Sequence, residues 1–112
     1  MLAHERLQVY AKALSALAFI EWFVSRTGSD GLSHRLFRQV DEAGTCVVLN
    51  IAEGNGRYAE LDQHRFLHIA ERGAVKAAVY LDLCVRGGLF AEAEAASDKE
   101  ILRRVGALLA GF

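Results

Sequence analysis

Apolar residues recur every three or four positions along most of this chain, the spacing that gathers them on one side of a helix. Over residues 5–26 the row Leu7, Tyr10, Leu14, Leu17 and Val24 keeps that period, Phe19, Ile20 and Phe23 widen it, and Trp22 adds further apolar area. Thr27-Gly28-Ser29-Asp30-Gly31 then supplies the residue types that stop helices and make turns. A second helix is predicted from about Leu32 or Ser33 to about Asn55, with Leu36, Val40, Ala43, Val47, Asn50, Ile51 and Gly54 on its inner side. A third covers residues 60–86, where Glu60 and Asp62 oppose the positive end of the helix dipole and Gly87-Gly88 follow the last turn. Its row is Phe66, Ile69, Ala70, Gly73, Ala77, Tyr80, Leu81 and Cys84. Residues 89–96 are rich in alanine and glutamate and read as a loop with a helical turn. Ser97-Asp98-Lys99-Glu100 fits a capping box, in which serine and glutamate each satisfy a free backbone N–H. The short fourth helix that it starts carries Ile101, Leu102, Val105, Leu108 and Leu109, and Phe112 closes the chain. With no proline and no alternating β-branched runs, the expectation is an all-α domain spanning residues 1–112.

Composition changes that picture in one respect. At 112 residues the chain is 53% hydrophobic, more than a small domain can bury in its own interior, so some apolar helix faces should be covered by other subunits. Thirteen lysines and arginines against fourteen acids give a net charge of −1, so no strong overall field draws the chain to nucleic acid or an anionic membrane. A phosphate-binding role would need a local patch. The two cysteines, Cys46 and Cys84, sit in apolar helical patterns without a close pair, which fits a reduced compartment. The first residues lack the basic and apolar regions of a signal peptide, and charges interrupt every long apolar stretch. A soluble, cytoplasmic product with no membrane contact is expected.

The stretch Asn50-Ile51-Ala52-Glu53-Gly54, with Gly56-Arg57 beyond it and Phe66-Leu67 and Ile69-Ala70 on the next helix, departs from simple core-building. Together with Tyr10 and Ala13, Gly31-Leu32-Ser33 and Leu81-Asp82-Leu83, it resembles the signature of the small four helix bundle proteins, which include those encoded by intervening sequences in bacterial 23S ribosomal RNA genes. The resemblance covers nearly the whole chain. It implies an antiparallel up-and-down four-helix bundle that assembles as a ring-like homo-oligomer of five subunits. It also implies an adaptor role, because related accessory proteins of diversity-generating retroelements bind a reverse transcriptase and nucleic acid through basic ring surfaces. The chain departs from its relatives at Asp41-Glu42, which stand where many carry an arginine pair, and at Gly73-Ala74 and Ala77, where more polar residues are common. Two reversed charges would weaken phosphate binding and flatten its salt dependence.

No residue set amounts to a recognisable catalytic site, and no cofactor is expected. Asn50 and Glu53 share one helix surface, and with Gly54, Gly56 and Arg57 they read as a structural polar motif, with Arg57 or Arg72 pairing Glu53; a ligand role is the alternative. The glycines could cradle an anion under Arg57, but a helix-terminating turn is the plainer reading. Arg35, Arg38, Arg65 and Arg72, with His34 and His64, could form a nucleic-acid face if helices two and three are neighbours, against a mixed surface of salt bridges. His64 and His68, flanked by Glu60 and Glu71, have metal-ligand spacing, but from a single helix; a solvated polar face is the plainer reading. Three functions stay open: an oligomeric adaptor for RNA, DNA or a nucleic-acid enzyme, a protein-binding oligomer, and a metal-dependent activity at the histidines.

Overall fold

Four helices and no strand make up the described residues of the structure, a computed structural model that describes the backbone of residues 3–26, 31–89 and 91–110 and the side chains of residues 5–22, 35–89 and 91–110. They are α1 (Ala3–Arg26), α2 (Gly31–Asn55), α3 (Glu60–Arg86) and α4 (Glu92–Ala110). Neighbours form a closed cycle: α1 packs on α2 and α4, and α3 packs on α2 and α4, with no contact across either diagonal among the described residues. This is the layout of a four-helix bundle. At 1.5 Å per residue α3 alone is about 40 Å long, which accounts for the longest dimension of 43 Å.

Each helix sends one row inward. On α2 it is Phe37, Val40, Ala43, Gly44, Val47, Val48, Ile51 and Gly54, and on α3 it is Leu67, Ala70, Gly73, Ala74, Ala77, Leu81 and Cys84. Two glycines set how closely these two helices approach. A Cβ on Gly54 would lie 3.1 Å from Cγ and Cδ2 of Leu67, and one on Gly73 would lie 3.0 Å from Cγ2 of Val47. Near the connecting turn, then, residue 54 meets 67, and further from it 47 meets 73.

On α1 the inward row differs from the one expected. Val9, Ala13, Ala16 and Ile20 are buried, Tyr10, Leu17 and Phe19 are half-buried, and Leu7 and Leu14 face outward. The helix carries two apolar rows. Packing turns the row with Ala13 and Ala16 inward, and Gly44 of α2 makes room for the larger side chains beside it: a Cβ there would come within 3.1 Å of Cδ1 of Leu17 and 3.4 Å of Cδ1 of Ile20. On α3, Ile69 is likewise exposed, and on α4, Leu108 is. Residues 27–30 and the side chains of Phe23, Val24 and Phe112 lie outside the described residues.

The fourth helix corrects the reading of segment 89–96 as a loop. It begins at Glu92, and Ser97 is an exposed residue inside it rather than its cap. The cap is built earlier: the backbone N–H of Ala91 donates to Oε1 of Glu94 at 2.9 Å, the returning half of a capping box that needs no serine. Burial of Ala95 holds this first turn against the core. The end of α3 is closed as Gly87-Gly88 suggested. The N–H of Leu89 donates to the Cys84 carbonyl at 2.9 Å and that of Gly88 to the Val85 carbonyl at 3.0 Å, a Schellman motif. Gly88 supplies its left-handed residue, with φ +77°.

Candidate functional site

The Asn50–Arg57 stretch forms the end of α2 and the turn into α3. Asn50 is half-buried, and its Nδ2 donates to the Cys46 carbonyl at 2.8 Å and to Cys46 Sγ at 3.3 Å. Its amide therefore bonds back within its own helix, as short polar side chains do. Glu53 is exposed and accepts from Nη2 of Arg57 at 3.0 Å. The guanidinium of Arg57 also lies over the Phe66 ring, 4.8 Å from its centroid, and Nε2 of Gln63 donates to the Arg57 carbonyl at 2.6 Å. The N–H of Gly56 reaches the carbonyls of Ala52 and Glu53, and that of Arg57 the carbonyl of Gly54. Arg57 is thus the hub of a clasp: its side chain ties the end of α2 to the first turns of α3, while Gly54 lets Leu67 press against the backbone.

The four arginines do not come together. Arg65 and Arg72 lie on the part of α3 that meets Gly54 and Val47 of α2, whereas Arg35 lies twelve residues before Val47, about 18 Å along the helix. Arg38 is paired with Glu42, with 3.5 Å between Nε and Oε1. Glu42, one of the acidic pair, thus partners one of the candidate arginines. The side chain of His34 lies outside the described residues. What the structure does assemble is a different row, on α3 alone: Arg65, Ile69, Arg72, Lys76, Val79, Leu83 and Arg86 follow one another at alternating four- and three-residue steps, and all seven are exposed. No acid interrupts it. None of its four cations has an ion-pair partner among the described residues, and Arg72 and Lys76, four apart, repel each other at a cost of roughly 0.2–0.5 kcal/mol. Between α2 and α3, a hollow of about 670 Å³ opens beside the row, lined by Cys46, Ile69, Arg72, Gly73 and Lys76 among others.

His64 and His68 are both exposed and share a hollow of about 260 Å³ with Leu67 and Leu109. Glu71 is half-buried and lines two other hollows, with Arg72 on one side and Arg103 on the other. Among the described residues no three histidine, cysteine or acidic side chains are grouped to hold a metal. Both cysteines are free thiols; burial pushes the pKa of Cys84 up to about 11, and Cys46 is half-buried. No helix of the described residues is long and apolar enough to cross a membrane.

The profile of the 23S rRNA-intervening sequence proteins matches residues 5–111. The chain belongs to that family. A search of curated proteins finds no match.

In this member of the 23S rRNA-intervening sequence proteins, three chemically notable residues fall outside the candidate sites read from the sequence. Asp98 is 3% exposed, its Oδ2 has no hydrogen-bond partner, and burial pushes its carboxyl pKa up to about 7. A signal for it existed: Ala95, Asp98, Leu102, Val105 and Leu109 are spaced three, four, three and four apart, so the aspartate occupies a core position of a regular row. Lys76 and Arg86 are the other two. The candidate arginines belong to two helices, whereas the cationic row belongs to one.

Proposed function

We propose that the chain is a non-enzymatic binding module that works as a homo-oligomer. The observation that supports this most directly is the outer side of α1. Leu7, Ala11, Leu14, Ala18 and Trp22 are all exposed, Leu7 by 66% and Trp22 by 51%, and Glu21 is the one charged residue among the exposed, described side chains of that helix. A face so poor in charge and carrying a tryptophan has the composition of an interface core. Family membership supports an antiparallel up-and-down bundle as the subunit, a ring of five as the assembly and the cytoplasm as its location. The two ionisable groups pushed furthest by burial, Asp98 and Cys84, line none of the hollows described above, which favours binding over catalysis.

The partner is the finer part of the proposal. Resemblance to retroelement accessory proteins suggests an adaptor for RNA, DNA or a reverse-transcriptase complex. The pairing of Arg38 by Glu42 and the separation of Arg35 from the part of α3 that carries Arg65 and Arg72 favour the alternative, a module whose partner is a protein. Light scattering after size-exclusion chromatography tests the oligomer. The wild type should elute at a multiple of 12.3 kDa, and Leu14→Glu, which puts a charge into the outer row of α1, should drop to a single chain. A wild type that runs as one chain at micromolar concentration would refute the proposal.

A further inference from the structure

We infer that the outer row of α3 is the docking surface for an acidic amphipathic helix of a protein partner, an inference that rests on the binding-module role and gives it a recognition site. Seven positions, from Arg65 to Arg86, cover about 32 Å of helix at heptad spacing, the repeat by which a second helix is gripped along its length. Ile69, Val79 and Leu83 supply apolar contacts, and Val75 is exposed beside them. Arg65, Arg72, Lys76 and Arg86 stand between and around these residues without ion pairs among the described residues, while Arg38, Arg57, Lys99 and Arg103 each have a carboxylate. Four unpaired cations interleaved with three apolar residues along one row are complementary to leucine-type residues flanked by glutamates or aspartates.

Two other occupants fit less well. A nucleic-acid backbone would satisfy the cations but leave Val79 and Leu83 uncovered, and the row offers no aromatic ring on which a base could stack. A second copy would bring the outer side of its α1, where Glu21 is the one exposed charge described, too few acids for four cations.

The test uses the full chain and a fluorescein-labelled peptide of three heptads with leucine at the two core positions and glutamate at the flanking ones. Its controls are the same peptide with lysine for glutamate and a single-stranded RNA. Anisotropy should show the glutamate peptide binding roughly tenfold more tightly than the lysine peptide. Arg72→Glu with Lys76→Glu, and separately Val79→Ser with Leu83→Ser, should each weaken it by about tenfold or more. All four positions are exposed, and circular dichroism checks that the variants fold. Equal binding of both peptides, or of neither, overturns the inference. So does RNA binding that the charge variant abolishes and the apolar variant leaves intact, which would assign the row to nucleic acid. An oligomer that ignores the glutamate peptide refutes this inference alone, whereas a single chain that binds it refutes the oligomer alone.

Discussion

Replacing Asp98 by asparagine tests whether a buried carboxyl limits the stability of this bundle. The side chain occupies a core position of α4 between Ala95 and Leu102, and burial raises its pKa from 3.8 to about 7 in the folded chain. Between these two values the folded state keeps a proton that the unfolded state releases. The folded state is therefore favoured at low pH, and that advantage is lost as pH rises, until both states are ionised above about 7. A carboxyl displaced this far accounts for about 4 kcal/mol in total, of which about 3 kcal/mol falls between pH 5 and pH 8. Exposed carboxylates such as Glu100, whose pKa is held down by its hydrogen bond from Arg103, act in the opposite sense and below this window. Urea unfolding followed by circular dichroism at pH 5 and pH 8, at fixed salt and protein concentration, measures the difference. An asparagine at this position cannot ionise but buries an amide. Asp98→Asn should therefore be no more stable than wild type at pH 5 and clearly more stable at pH 8, the gap changing by about 3 kcal/mol. If the gap between the two proteins is the same at both pH values, the buried-carboxyl account is wrong.

Two further predictions concern the turns. Glu53→Gln, which removes an exposed ion pair, should cost less than about 1 kcal/mol, whereas Gly54→Val, which forces a side chain onto Leu67, should cost about 1–3 kcal/mol; denaturant midpoints that rank the two the other way would show that charge, not close approach, holds this turn. Gly88→Ala should lose about 1 kcal/mol, because the left-handed backbone there disfavours any Cβ, and an unchanged thermal midpoint would mean that the cap relaxes freely.

The helices themselves were readable from the spacing of apolar residues and from the absence of proline, and the end of α3 could be placed from Gly87-Gly88. Two features were not. On α1 the bulkiest residues suggested the inner row, but interior packing follows the closeness of the backbones, and that depends on Gly44 of another helix. At α4 the serine signal competed with a glutamate one; Glu94 prevailed because starting at Glu92 buries Ala95 as well. The candidate site was legible in part. The clasp residues Asn50, Glu53, Gly54 and Arg57 could be named, but the partners Cys46, Gln63 and Phe66 depend on how the turn folds. The cationic row of α3 has the same periodicity as a core face, and only the location of the other helices reveals that it points outward.

The clasp at Arg57 also bears on the order in which the chain folds. The contacts of Arg57, with Glu53, Gln63 and Phe66, join residues at most nine apart, so closing them costs little chain entropy. Packing of α1 on α4, by contrast, joins the two ends of the sequence. Local contacts can form before distant ones repay their loop cost. On loop cost, the pair α2–α3, with its turn closed early, is accordingly the natural nucleus of the bundle. The most distinctive residues of the chain are thus a folding instruction written at its midpoint.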